Sequence, residues 1–274
     1  MPTRLSATRR LKLLLEYNGT RYHGWQSQPR LLTLQGTLEA CLGRLTNAPI
    51  RVHASGRTDA GVHALGQVVH FDTASTIALP ALVRGANSLL PDDFVVREAI
   101  EVPADFHARF SACRKTYVYR LHNDSIPSAL WAPYVWHVPQ GLDVPAMRLA
   151  ANVLLGHHDF SAFRAASCTA KNPWREVFAL RLSRHAERLL IMITANAFLQ
   201  YMVRNIVGTL VAIGRTKIPA AAMATILQSG QRHYAGPTAP AQGLCLLRVQ
   251  YAPHATALEM SSVPDRRTPQ AFDV

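Results

Sequence analysis

The chain has 274 residues, 49% of them hydrophobic, enough to bury a substantial core in one large domain or two ordinary ones. Lys plus Arg outnumber Asp plus Glu by 29 to 17, a formal charge of +12, and the balance suits a polyanion, although basic surfaces also occur without any nucleic-acid role. Cys41, Cys113, Cys168 and Cys245 form no C-x-x-C pair, no stretch has the apolar length of a bilayer span, and Met1 to Arg10 lacks the apolar segment of a secretory signal, so a zinc knuckle, a disulfide framework and a membrane are not indicated and a cytoplasmic location is expected.

Residues 1–10 read as a basic tail in which Arg4, Arg9 and Arg10 belong to a solvated terminus, with RNA contact the sharper alternative. Leu11 to Tyr17 is strand-like and leads into a turn at Asn18-Gly19. Leu34, Leu38, Leu42 and Leu45 recur at helical spacing behind Thr33, a fitting N-cap. Two strand-like runs follow, Ile50 to Ala54 and Gln67 to Phe71, joined by Gly56-Arg57-Thr58-Asp59-Ala60-Gly61-Val62-His63-Ala64. Its glycines allow a tight loop that aims side chains into a cleft, and the spacing of Arg57 and Asp59 places both on one face of an extended segment. Between Glu39 and Asp72, Asp59 is the only acid. Two readings stand: a turn residue that caps amides and pairs with Arg57, or a catalytic carboxylate beside a cationic partner.

A helix over 81–89 and a strand over 93–102 complete a β-α-β-β-α-β order that suits a ferredoxin-like sandwich. In Arg114 to Arg120 the period is two, so Tyr117 and Tyr119 share one face, for core packing or for ligand contact. The Pro- and Trp-rich stretch from Asp124 to Pro139 marks the passage between an N-terminal half, 11–123, and a C-terminal half, 124–251. A helix over 144–155 precedes His157-His158-Asp159, read as a loop; adjacent histidines diverge in regular structure, which ranks a metal below a structural or RNA-contacting role. A hairpin over 176–195 leads to a helix over 198–208, where Arg204 stands among apolar residues. Such a cation needs an anionic partner or ligand if buried, or else reaches the surface. A helix from about Pro219 and a strand over 244–251 close the second half, and 252–274 read as a flexible tail.

Several of these segments carry a resemblance. G-R-T-D-A-G-V-H-A at 56–64 resembles the catalytic motif of the TruA family of tRNA pseudouridine synthases. Y-N-G-T-R-Y-H-G-W-Q at 17–26, K-T-Y-V-Y at 115–119, H-H-D-F-S-A-F at 157–163, M-V-R-N-I-V-G at 202–208 and G-L-C-L-L-R-V-Q-Y at 243–251 follow in the family's order. Asn18 stands where Asp is more usual. The resemblance implies an α+β fold of two ferredoxin-like halves around a central, mainly antiparallel sheet with a cleft between them. It further implies that Asp59 is the catalytic aspartate, that Arg57 helps displace the target nucleotide, that Tyr117 stacks on or bonds near the uracil, and that Arg204 pairs with Asp59. It implies tRNA as partner through the anticodon stem-loop at positions 38, 39 and 40, a homodimer, and no cofactor or metal. The chain shows no phosphate loop, Rossmann glycine fingerprint or zinc-deaminase signature. The rival is a non-catalytic RNA-binding protein or RNA chaperone on the same scaffold; a metal-dependent nuclease using Asp59 with His63, His157 or Asp159 ranks third.

Overall fold

A computed structural model describes residues 8–252. Strand β1, Arg9–Tyr17, alternates strictly, sending Leu11, Leu13, Leu15 and Tyr17 into the core. Helix α1, Leu34–Thr46, starts where expected: the Thr33 hydroxyl accepts from the Gly36 amide, and Asn47 ends the helix in the left-handed region. Short β2, His53–Ala54, and long β3, His63–Thr73, flank the glycine-bounded loop. Helix α2, Leu79–Leu89, and β4, Phe94–Val102, follow. The remainder comprises β5 Ala112–His122, β6 Trp136–His137, α3 Val144–Asn152, β7 Gly156–Asp159, β8 Trp174–His185, β9 Arg188–Ala195, α4 Met202–Gly214, α5 Ala222–Ser229 and β10 Leu244–Tyr251.

The ten strands of the described residues form one sheet, in the order β4-β1-β3-β10-β5-β9-β8-β7, with β2 added to β3 and β6 to β5. Every pairing is antiparallel except β3–β10 and β5–β6. The sheet contains the same pattern twice. The path β1-α1-β2-β3-α2-β4 lies as β4-β1-β3 with β2 beside β3, and the path β5-α3-β8-β9-α4-β10 lies as β10-β5-β9-β8, extended by β7. Both are ferredoxin-like units, and strand pairing joins them along β3 and β10, where two residue pairs are in register, Cys245 with His63 and Leu246 with Ala64. The cut expected after residue 123 follows a change in composition, but that irregular stretch is the crossover from β5 to α3. Hydrogen bonding groups β5 with β9 and β10, so the second unit starts at β5.

Other local expectations need correction. Arg9 and Arg10 are part of β1, not of a tail: Arg10 grips both oxygens of Asp72 at 2.7 and 2.8 Å, and Arg9 donates to the carbonyl of Ser75 at 2.8 Å. Arg4 lies outside the described residues, as do residues 253–274 of the expected C-terminal tail. The segment His157–Asp159 is an edge strand paired with β8, with a polar sequence that carries no strand pattern. Helix α3 stops at Asn152, and α5 starts at Ala222 rather than at Pro219. The helix expected over 198–208 begins at Met202 and runs to Gly214. Tyr201, at φ 64°, blocks an earlier start, and every residue of α4 after Arg204 is buried, so periodicity cannot mark its ends. Among the described residues no helix is long and apolar enough to cross a membrane.

Candidate active site

The loop from Gly56 to Val62 is held from beneath by buried polar groups. The Ser55 amide donates to the Val68 carbonyl at 2.8 Å, and the Ser55 hydroxyl donates to the Gln67 side chain at 2.7 Å. Gln67, with no exposure, returns a bond from Nε2 to the Gly56 carbonyl at 2.9 Å. The Tyr17 and Thr58 hydroxyls are bonded at 2.8 Å. From the side the loop leans on the segment after β1: the Trp25 amide donates to the Thr58 carbonyl at 2.9 Å. Contact there is so close that a Cβ on Gly19 would sit 2.0 Å from the Val62 carbonyl oxygen, and one on Gly24, at φ 84°, would sit 2.9 Å from that of Thr58. Glycines of the 17–26 motif therefore shape the 56–62 loop without belonging to it.

Against this support the Asp59 carboxylate makes one ionic contact among the described residues, from its Oδ2 to Nη1 of Arg204 at 3.3 Å. The two side chains are 21% and 14% exposed. Arg204 comes from the first turn of α4, donates Nε to the Ala239 carbonyl at 2.8 Å and lies over the Tyr201 ring at 4.6 Å. Burial raises the Asp59 carboxyl above its ordinary value, and the charge and hydrogen bond of Arg204 oppose that rise. Of the two readings of Asp59, pairing with Arg57 is not what occurs. Arg57 is exposed and has no ion pair among the described residues.

Tyr117 is brought to the same place from β5. Its ring is 7% exposed and meets Phe198 edge-on at 5.1 Å between centroids. Burial first, then the neighbouring Tyr17 and Asp59, push its ionisation far upward, which keeps the hydroxyl neutral. That hydroxyl has no hydrogen-bond partner among the described residues, so its donor is available to a ligand. Tyr119, on the same face, instead donates its hydroxyl to the Pro240 carbonyl at 2.8 Å and packs against Gly243, where a Cβ would lie 2.5 Å from the ring. Tyr119 is structural.

Sequence reasoning gave no role here to Gln67, Tyr17, Lys115 and Phe198, and considered His63 only for a nuclease. His63 is a latch: its Nδ1 accepts from the Gly19 amide at 3.1 Å, while Nε2–H is shared between the carbonyls of Pro133 at 3.0 Å and Gln242 at 3.1 Å. This pattern requires the neutral ring, and burial lowers its proton affinity accordingly. A glutamine inside an apolar strand was the one visible signal for Gln67. His157, His158 and Asp159 hold local structure: His157 stacks on Trp174 at 5.1 Å, His158 bonds the Leu155 carbonyl at 2.6 Å, and Asp159 caps the Ser161 amide at 2.7 Å.

The assembled groups are a lone carboxylate of raised basicity, a guanidinium that orients it, a neutral phenol and an unpaired arginine. Such a set can abstract a proton or attack an electron-poor carbon while a flat ring is held against Tyr117.

The chain matches a family model described as tRNA pseudouridine synthase over residues 14–111 and 150–252. It is 44% identical over 243 residues to tRNA pseudouridine synthase A of Syntrophotalea carbinolica, covering 89% of this chain and 96% of that protein. It is 45% identical over 242 residues to the protein of the same name from Aeromonas salmonicida, covering 88% and 90%. A solved Cbf5-Nop10-Gar1 complex aligns over 86% of this chain and 57% of that one, at 11% identity and a TM-score of 0.35, too slight a likeness to carry an argument. With both stretches of the model matched in order and near half of the residues shared along almost the whole length of such relatives, the chain belongs to the tRNA pseudouridine synthase family.

Proposed function

We propose that the protein converts uridine to pseudouridine in the anticodon stem-loop of cytoplasmic tRNA, at positions 38, 39 and 40, with Asp59 as its catalytic carboxylate. The reaction is an isomerisation. The C1′–N1 glycosidic bond breaks, the uracil turns in place, a C1′–C5 bond forms, and the proton leaving C5 is balanced by one gained at N1. Asp59 is suited to it as nucleophile or as base for a sugar proton, since burial raises its basicity and Arg204 holds it in position. A paired base hides its reacting atoms, so the nucleotide must leave the stack, and the exposed Arg57 on the same loop is the group to fill the space it leaves. Tyr117 then lies against the displaced ring. The observation that carries the reading is the 3.3 Å contact between Asp59 and Arg204, which sets a motif aspartate against a motif arginine 145 residues away.

Purified protein incubated with uridine-labelled tRNA transcript, without cofactors, should form pseudouridine at those positions, and Asp59→Asn should bind the tRNA without converting it. RNA binding without conversion by the parent protein would leave the chaperone reading in its place. We also propose a homodimer, on the family resemblance; a monomer mass in light scattering together with full activity would refute it.

A further inference from the structure

Several arginines pair with an acid on the surface: Arg9 with Glu101, Arg10 with Asp72, Arg21 with Asp93, Arg51 with Glu39, Arg97 with Glu16. Lys115, Arg175 and Arg109 do not. Lys115 lies two residues before Tyr117 on the same face of β5, 9% exposed. Its ammonium donates to the carbonyl of Ser55, at the base of the catalytic loop, at 2.5 Å, and a Cβ on Gly56 would lie 3.5 Å from it. Register places Ala195 of β9 opposite Lys115 and Val177 of β8 opposite Ala195. Arg175, two residues before Val177, thus emerges on the face that carries Lys115. Arg175 donates Nη1 to the carbonyls of Asn172 and Trp174 at 2.9 and 2.6 Å. Its Nε is the one buried side-chain nitrogen or oxygen without a hydrogen-bond partner among the described residues. Arg109, exposed in the turn between β4 and β5, lies over the Phe110 ring at 5.5 Å.

Neither Lys115 nor Arg175 nor Arg109 has a carboxylate within ion-pair distance among the described residues. Burial first, and then the charges of Arg109 and Arg175, lower Lys115 to about 8; burial and Arg109 also lower Arg175. Gathering like charges around a buried ammonium destabilises the free protein, and an anion placed among them removes that cost and supplies an acceptor for the orphaned Nε–H. On the reading that the substrate is RNA, the anion that arrives beside the catalytic loop is a backbone phosphate.

We propose that Lys115, Arg175 and Arg109 form a subsite for one phosphodiester of the bound RNA strand, adjoining the loop that carries Asp59. The subsite would fix the strand so that the displaced nucleotide falls between Asp59 and Tyr117.

The test uses the full-length protein and a synthetic stem-loop RNA containing a target uridine, in which single phosphodiesters are replaced in turn by neutral methylphosphonates. Lys115→Met and Arg175→Met should each make the slope of log Kd against log salt shallower by about one, while Lys115→Arg restores it. One neutral linkage should weaken binding by the parent protein and have no further effect on Arg175→Met. If Lys115→Met merely loosens the loop, turnover drops while the salt slope stays at the parent value. A parent slope in a folded Arg175→Met, or a penalty for every neutral linkage that is the same in parent and variant, overturns the subsite. Failure of the parent protein to form pseudouridine would count against the catalytic reading instead, since the binding measurements do not depend on turnover. If Lys115→Met does not fold, Arg175→Met and Arg109→Met decide the matter.

Discussion

The interior of the first unit and the seam between the units are built by opposite means. Inside the unit, β1 is paired along almost its whole length on both edges, from Arg9 with Thr73 to Tyr17 with Ala64 on one side and from Arg10 with Val102 to Tyr17 with Phe94 on the other. At the seam two parallel residue pairs are all the backbone provides, and side chains supply the rest: His63 joins Gly19 to Pro133 and Gln242, Lys115 reaches the Ser55 carbonyl, and Arg204 meets Asp59. Two arginine–carboxylate pairs sharpen the contrast. Arg10 grips Asp72 with two bonds in a partly exposed setting, and that hydrogen bonding holds the Asp72 carboxyl below its ordinary value. Arg204 touches Asp59 once, at greater distance, and burial wins, so the Asp59 carboxyl is raised. The carboxylate with two short bonds is held in its charged form, and the one with a single longer contact, set where the units join, is held less firmly in it.

The contrast breaks most sharply at Asp59→Asn. Because a positioned base or nucleophile contributes factors of about a hundred to ten thousand, conversion of uridine should fall by at least about a hundredfold. RNA affinity should hold or tighten, since an anion near phosphates is removed. Single-turnover assays and a thermal melt on one sample read both. A folded Asp59→Asn protein with normal turnover would return Asp59 to the role of a turn cap.

Arg204→Met attacks the seam from the other unit and strands a largely buried carboxylate. Breaking such a pair costs about 3–5 kcal/mol when fully buried, so about 2–4 kcal/mol is expected here in urea unfolding at neutral pH. The pH profile gives a second reading. Because burial already raises Asp59 and Arg204 opposes the rise, the acid limb of kcat should lie above the ordinary aspartate range in the parent protein and move higher still in the variant. An unmoved limb would mean that Asp59 does not titrate in catalysis.

Gly19→Ala should cost about 1–3 kcal/mol by overpacking, and turnover should fall as well, because the new methyl meets the Val62 carbonyl at 2.0 Å and displaces the loop. Equal loss of stability with unchanged kcat would show that the loop absorbs the shift.

At His70 and Asp72, away from the seam, the expected effects touch stability alone. His70 is held to about 4, by burial first and then by the charges of His107, Arg10 and His53, against an ordinary 6.5. The unfolded chain therefore takes up a proton below 6.5 that the folded chain refuses until about 4. Stability is full above pH 6.5 and falls between 6.5 and 4, by on the order of 2 kcal/mol. His70→Gln should flatten that part of the curve in urea titrations at pH 7 and 4.5; an identical pH response would assign the loss to other groups. Smallest of all, Asp72→Asn should lower stability by under about 1 kcal/mol, as for other exposed pairs, and leave turnover unchanged.

What could be read from residues alone was what neighbours in the chain encode. Alternation in Leu11 to Tyr17, the Thr33 cap and leucine spacing of α1, the hairpin of β8 and β9, and the closing strand at Leu244 all rest on contacts within a few residues, and each stands where periodicity put it. The motif drew attention to Asp59 and Tyr117. Yet spacing left Arg57 as a partner for Asp59, and neither α4's start at Met202 nor the edge strand at His157 followed from pattern, because a helix buried on nearly all sides and a short polar strand carry little periodic signal. Tertiary structure alone decided that β10 returns to lie between β3 and β5 and that β5 therefore opens the second unit, and where residue spacing offered Arg57 and only the family resemblance offered Arg204, it is Arg204 that meets Asp59. Those outcomes depend on contacts between residues more than a hundred positions apart, whose free energy is realised only when both units are formed and packed, and no local pattern in the chain records them.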